Sequence, residues 1–110
     1  MRWSNWLLIL LLTVSIINYP NPFNPKGGEV ATFECSSEAS AVTTLYLYDL
    51  SARLIWHRDL DLRAGSTSRL TWNGYSDQNE LVGNGIYLYR LLDRSTQKLA
   101  AKCKVWVINH

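Results

Sequence analysis

Residues 70–92 constrain the fold most, because they read as a strand, a polar loop and a second strand. Residues 70–72 alternate apolar and polar side chains and lead into Asn73-Gly74, a turn dipeptide. The loop that follows is too polar to be buried, and residues 86–92 are the β-branched, aromatic and aliphatic types that favour a strand. This stretch predicts paired strands and contains no catalytic motif.

Alternation of apolar and polar residues predicts the other strands. The pattern occupies residues 29–36, 41–50, 54–62, 67–72 and 98–107, and turn signals recur about every 8–12 residues between them. Residues 41–50 carry bulky side chains on both faces, which indicates a central strand. Outside the N-terminal segment no window has a helical period, so the sequence predicts an all-β antiparallel sandwich of six to seven strands.

Composition narrows the class of protein. The 110 residues allow one domain, and 47% apolar with 18% charged residues is typical of a folded chain. A formal charge of +2 is too small to predict nucleic acid or an anionic membrane as a partner. Two cysteines are too few for a disulfide-rich scaffold.

The N-terminal segment differs from the rest. Residues 6–17 form a nearly unbroken apolar run, and Arg2 is the only charge before them. The run has the length of a signal-peptide core and is shorter than the ~20 residues of a membrane span. Residues 1–18 are therefore predicted to be a signal peptide or apolar leader, which places the protein in the periplasm, at the cell surface or outside the cell. The alternatives are a miscalled start, a retained anchor or a fragment of a longer protein.

Residues 19–28 contain all three prolines and end in Gly27-Gly28. Proline fixes φ and lacks an N–H group, which excludes a helix or a central strand. We expect a stiff, extended lead-in with Phe23 as an apolar contact to the domain, and the sandwich itself at residues 29–109. The alternative, which composition alone favours, is an ordered strand-like leader at the edge of the sandwich.

From Tyr19 onward the chain resembles a known family. Residues 19–25, Tyr-Pro-Asn-Pro-Phe-Asn-Pro, are similar to the opening of the C-terminal sorting domains of the type IX secretion system. They also resemble the related immunoglobulin-like domain of the flagellar hook-capping protein. Further likenesses follow in order: residues 47–53 to a "VYDxxGR" turn, 64–65 to an "AG" pair, 72–91 to "WDG…D…V…SGVYfYRL", and 104–108 to the closing strand.

The resemblance spans residues 19–109 and implies an immunoglobulin- or fibronectin-III-like sandwich. It implies a non-catalytic module for secretion sorting or cell-envelope attachment, with secretion or envelope proteins as partners and no cofactor. The residues that it marks for recognition are Pro20, Asn21, Pro22, Phe23, Asn24, Pro25, Ala52, Arg53 and Lys104.

Some positions depart from the family pattern. Ala52 stands where the family has a turn glycine, and a left-handed conformation is costly for alanine, so we expect a different hairpin. Asn79 replaces a loop glycine, which is tolerable because asparagine visits left-handed geometry more easily than most residues. The chain ends without the terminal Lys or Arg common in sorting domains.

Two sets of residues are candidates for a bond or a binding surface. Cys35 and Cys103 fall on inward faces of the first and last predicted strands, where they form either a disulfide or two buried thiols. Trp56, Tyr75 and Trp106 are candidates for contacting glycan or protein; alternatively they cap the ends of the sandwich. An extracellular binding or adhesion domain and a hook-capping-like assembly domain are therefore the alternative functions.

Catalytic and metal chemistry have little support in the sequence. His57 lies beside Asp59 without a nucleophile motif and is expected to be a solvated strand residue. Residues 77–80 offer oxygen ligands but lack the spacing of a calcium loop, so we expect a solvated turn and no metal. We expect no nucleic acid partner, and a membrane contact only through the leader if it is retained.

Overall fold

The computed structural model describes residues 14–110, which form seven β-strands and no helix. The strands are β1 (Val14–Tyr19), β2 (Ala31–Ser37), β3 (Ala41–Tyr48), β4 (Leu54–Leu62), β5 (Thr67–Trp72), β6 (Gly85–Asp93) and β7 (Lys98–Val107). In this part of the chain there is no helix long and apolar enough to cross a membrane.

The strands form two sheets, one with the order β1-β2-β5 and the other with the order β4-β3-β6-β7. Every strand pairing within them is antiparallel. The predicted antiparallel sandwich is therefore confirmed, and β3 lies between β4 and β6 as its two-sided bulk indicated.

The sandwich begins earlier than the predicted residue 29. Residues 14–18, which the sequence analysis placed in the apolar leader, belong to β1 and pair with β2 from Val14–Ser37 to Tyr19–Thr32. Val14 and Ile16 pack against the core while Ser15 faces out, so the end of the apolar run has the alternation of a strand. The predicted export signal falls mainly on residues 1–13, which lie outside the described residues.

Aromatic rings fill much of the space between the sheets. Phe33 contacts Tyr89 edge-on with ring centroids 4.8 Å apart, and Trp56 lies 5.8 Å from Trp72. Such pairs add about 0.5–1.5 kcal/mol each beyond the area they bury. Leu45, Leu47, Trp72 and Tyr87 are also buried between the sheets.

The β3–β4 hairpin is organised by Asp49. Its Oδ1 accepts hydrogen bonds from the N–H groups of Ser51 and Arg53, both at 2.9 Å, and its Oδ2 accepts one from Arg53 Nε at 2.8 Å. Ala52 adopts φ 66°, so the hairpin keeps the left-handed residue and the expectation of a different turn was wrong. The hydrogen bonds around Asp49 offset the unfavourable conformation of Ala52. Asn79 is left-handed too, with φ 63°, in agreement with the prediction for the loop.

Replacing Ala52 by glycine should stabilise the protein. A left-handed L-residue costs about 1–2 kcal/mol, and glycine loses about 0.5–1 kcal/mol through its greater freedom in the unfolded chain. We expect Ala52→Gly to raise the free energy of unfolding by about 0.5–1 kcal/mol in urea denaturation. Ala64→Gly is the matched control, since Ala64 is an exposed turn residue without positive φ, and it should give no gain. Equal or lower stability for Ala52→Gly would contradict this account of the hairpin.

Candidate functional site

Most segments that carry the family resemblance meet at one end of the sandwich. This end, called the motif end below, comprises residues 19–28, the hairpin 49–53, the loop 73–84 and the chain end 108–110. The loop joins the hairpin side where Asp77 N–H donates to the carbonyl of Ile55 at 2.9 Å. Of the resembling segments, the Ala64-Gly65 pair lies at the opposite end, and Lys104 lies within β7.

The lead-in is an ordered part of the domain. Phe23 forms a parallel bridge with Val107: its N–H donates to the Trp106 carbonyl at 2.8 Å, and its carbonyl accepts from Ile108 N–H at 2.9 Å. Asn21 Oδ1 accepts from Trp106 N–H at 2.9 Å. The lead-in therefore covers the C-terminal end of the free edge of β7, at residues 106–108, where backbone groups would otherwise be unpaired.

Two side chains of the lead-in enter the protein interior. Phe23 is completely buried, with its ring centroid 5.6 Å from that of Trp72. Pro25 is buried against Gly74, where an added Cβ would lie 2.2 Å from the proline Cβ. Gly74 also has φ +87°, so both its backbone and the proline ring require glycine at this position.

Asparagine side chains hold the lead-in to the chain end. Asn24 Oδ1 accepts hydrogen bonds from the N–H groups of Gly27 and His110 at 3.0 and 3.1 Å. Asn109 Oδ1 accepts from Lys26 N–H at 3.2 Å, and its Nδ2 donates to the Val82 carbonyl at 3.0 Å. Asn109 was not identified from the sequence, because only the fold brings it next to a residue 83 positions away.

A groove of about 310 Å³ lies between the hairpin and the loop. Its lining includes Asp49, Arg53, Ile55, Glu80, Leu81 and Tyr87. Hydrogen bonds from the Arg53 backbone, followed by the Arg53 side chain and Ser51, hold the pKa of Asp49 below its usual value. Burial raises the pKa of Tyr87, whose hydroxyl donates to the Gly83 carbonyl at 2.8 Å. Within residues 14–110 no three His, Cys, Asp or Glu side chains cluster as metal ligands.

His57 is paired with a different carboxylate from its sequence neighbour Asp59. His57 Nδ1 lies 2.6 Å from Asp77 Oδ2, and Arg58 Nη1 lies 2.8 Å from Asp77 Oδ1. Partial burial acts to raise the pKa of Asp77, but the hydrogen bonds from Arg58 and His57 outweigh it and the pKa is lowered. Asp59 instead accepts from the Thr44 hydroxyl at 2.8 Å.

The polar loop is a turn closed by its own hydrogen bonds. Ser76 Oγ accepts from the N–H groups of Gln78 and Glu80, each at 3.2 Å. Its side-chain bonds are those of a serine turn, in line with the solvated turn that the sequence predicted.

The three aromatic candidates for contacting glycan or protein do not share one surface. Trp56 is 3% exposed and packs inward, with its ring 6.2 Å from Phe33, so its prediction as a contact residue was wrong. Tyr75 and Trp106 are exposed, at 38% and 50%. Tyr75 belongs to the loop of the motif end and Trp106 to the outer side of β7, so they face different surroundings.

The sorting residues implied by the resemblance fall into two groups. Phe23 and Pro25 are buried and therefore structural. Exposed positions, which a partner can reach, are Pro20, Asn21, Pro22, Ala52, Arg53 and Lys104, with Asn24 half-buried. Recognition through these residues stays a prediction.

Comparison with solved structures gives the fold two close counterparts from Porphyromonas gingivalis. The chain is similar to a part of dimeric latent PorU, with a TM-score of 0.77 and 24% identity over 94% of this chain and 10% of PorU. It is also similar to a part of PorZ, a surface component of the type IX secretion system, with a TM-score of 0.61 and 22% identity over 86% of this chain and 12% of PorZ.

The same fold recurs outside these two proteins. A part of the DNA glycosylase AlkC from Pseudomonas fluorescens matches with a TM-score of 0.56 and 12% identity, covering 93% of this chain and 32% of AlkC. The chain thus spans about a tenth of the length of PorU and PorZ. No family model and no curated protein matches the sequence. These similarities establish a shared sandwich fold.

Both cysteines are free thiols in the structure, which is the second of the two alternatives that the sequence left open, although only Cys35 is buried. Cys35 is buried in β2, and burial followed by the nearby Glu34 raises its pKa to about 11. Cys103 lies two residues before the buried Val105 and therefore on the same side of β7, but Cys103 itself is exposed.

The two thiols should differ in reactivity. Because the thiolate is the nucleophile, Cys103 should react with a disulfide reagent at pH 8 at least about tenfold faster than Cys35. Without reductant, one thiol per chain should titrate quickly in the folded protein and two after unfolding in urea. Cys103→Ser should remove the fast phase and Cys35→Ser the slow phase. Zero reactive thiols in the unfolded, unreduced protein would show that the disulfide forms after all.

Proposed function

We propose that this chain is a non-catalytic module of an exported bacterial protein. Its role would be secretion sorting or cell-envelope attachment, like that of the sorting domains of the type IX secretion system. The observation that carries the proposal is the convergence of the lead-in, the hairpin, the loop and the chain end at one end of the sandwich. The similarity to parts of PorU and PorZ supports it, as does the strand order β1-β2-β5 and β4-β3-β6-β7, typical of fibronectin-III-like sandwiches.

The mechanism that we propose is presentation of a rigid surface. The buried Phe23 and the Asn24 and Asn109 hydrogen bonds hold the lead-in and chain end in one arrangement. That arrangement leaves Pro22 and the hairpin residue Arg53 exposed, the latter with 79% of its side chain accessible. A preorganised surface of this kind binds a partner without first ordering a loop. The partners are secretion or envelope proteins, and the location is the periplasm, the cell surface or the exterior.

A non-catalytic role agrees with the surroundings of His57. Its Nδ1 is engaged by Asp77, and its ring stacks on Tyr46 at an interplanar angle of 9° on the open side of a strand. Binding or adhesion through Trp106 is the second candidate function, favoured by the half-exposed ring.

Export of a reporter tests the proposal. Residues 14–110, which include β1, are fused behind a reporter with its own inner-membrane export signal in a host that has type IX secretion. We expect the reporter to reach the cell surface or the medium. Arg53→Ala should reduce this fraction several-fold, because Arg53 is exposed at the motif end. Arg63→Ala, at the opposite end, is the matched control and should have no effect. Retention of the unaltered fusion in the periplasm would overturn the proposal.

A further inference from the structure

The outward side of the four-stranded sheet, called the outer face below, has an apolar centre. Trp106, Leu88 and Ile86 are large apolar residues exposed by 50%, 38% and 36%. The strand register brings them together: Ile86 lies opposite Trp106, and Tyr48 lies opposite Leu88. A contiguous apolar patch on a sheet face is typical of an interaction surface.

Three cations border this centre. The same register places Lys104 beside Leu88 and Lys102 beside Arg90. Leu88, Arg90, Lys102 and Lys104 surround a depression of about 390 Å³, with Tyr89 and Cys103 between them. Among residues 14–110 no acidic side chain forms a salt bridge with Arg90, Lys102 or Lys104.

The opposite side of the sandwich has a different character. Outward positions of β2 and β5 are Ser and Thr apart from Glu34 and Arg69, which pair with each other at 2.9 Å. On β1 the outward residues Ile17 and Tyr19 are exposed. The hydroxyls of Ser36 and Thr67 satisfy each other at 3.3 Å. Among the described strands, the combination of unpaired cations with exposed apolar residues is therefore specific to the outer face.

The charges of the outer face favour a protein partner over a second copy of the chain, an anionic bilayer or a polysaccharide. Asp59 and Asp61 lie at its β4 side with side chains 65% and 74% exposed, and Arg94 lies 3.4 and 3.5 Å from them. Four cations thus outnumber two carboxylates, so two copies of this face would repel each other. An anionic bilayer or polysaccharide would meet the two exposed carboxylates, whereas a protein surface can match both signs of charge. Trp106, Tyr48 and Arg90 on this face are of the residue types enriched in protein–protein interfaces.

We propose that the outer face docks a partner protein whose contact surface has an apolar centre flanked by Asp or Glu side chains. This inference rests on the proposed function, since the partner is the protein that the secretion module engages. The carboxylates of the partner fill the depression between Arg90, Lys102 and Lys104, and its apolar residues cover Leu88 and Trp106.

Site-specific photo-crosslinking tests the docking face. A photoreactive amino acid replaces Leu88 in the full chain, expressed in a host with type IX secretion, and Thr71 on the outward side of the other sheet is the matched position. We expect a protein adduct from position 88 and none from position 71. Mass spectrometry of the adduct should identify a crosslinked peptide that contains Asp or Glu beside apolar residues.

Charge reversal separates docking from incidental contact. K102E/K104E should lower the yield of the adduct about tenfold, because like charges then face the partner. R63E/R69E carries the same change in charge at the opposite end of the sandwich and on the three-stranded sheet, away from both the outer face and the motif end, and should leave the yield unchanged. Trp106→Ala is a second variant that keeps all charges, and it should lower the yield several-fold through loss of apolar contact.

The outcomes distinguish this inference from the proposed function. An adduct with lipid, with polysaccharide or with a second copy of the chain would overturn it, as would a peptide without acidic residues. Absence of a protein adduct at position 88, with export of the reporter intact, would overturn the docking face alone. A charge-dependent protein adduct without export would overturn the proposed function and leave the docking face standing.

Discussion

The packing of Phe23 against Trp72 is the contact on which the rest of the motif end depends. Phe23 comes from the lead-in and Trp72 from the end of β5, and both are almost completely buried. Once Phe23 is inserted, its backbone reaches Trp106 and Ile108, and the lead-in lies along β7. Burying an aromatic side chain of this size contributes about 1.5–3 kcal/mol, more than any single hydrogen bond in the segment. The hydrogen bonds of Asn24 and Asn109 then fix the direction of a segment that the ring has already positioned.

Much of the sandwich could be predicted because period-2 alternation survives in most strands. In β3 the residues Leu45 and Leu47 point inward beside partly buried tyrosines, and the sequence alone identified it as central. The strand β1 could not be predicted, because its residues continue the apolar run of a signal-like segment. In β4 the inward row contains Arg58, which broke the expected pattern and concealed the burial of Trp56. The guanidinium of Arg58 lies 5.0 Å from the Trp56 ring and reaches Asp77, so its charge remains solvated at the rim of the core.

The candidate site was predicted only in outline. The sequence identified residues 19–25 and the hairpin as the segments of interest, because the resemblance rests on short motifs. The roles of Gly74 and Asn109 depend on contacts between residues far apart in the chain, and no local pattern encodes these contacts. The conformation of Ala52 could not be predicted for a different reason. Local propensity disfavours a left-handed alanine, but the hydrogen bonds that Asp49 accepts stabilise the turn that contains it. The outer face was overlooked because Trp106, Leu88 and Tyr48 belong to three different strands and meet only through the register.

The free energy of unfolding of Phe23→Ala tests the central claim most directly. If the ring anchors the motif end, urea denaturation should show a loss of about 3–5 kcal/mol, the range for removing a buried aromatic side chain. Trp106→Ala is the matched control: its ring is half-exposed, so the loss should stay below about 1 kcal/mol. Hydrogen exchange should then show faster exchange of the backbone amides of residue 23, Ile108 and His110 in Phe23→Ala, since their hydrogen bonds depend on the anchored lead-in. A loss below about 1 kcal/mol for Phe23→Ala, with these amides still protected, would contradict the account.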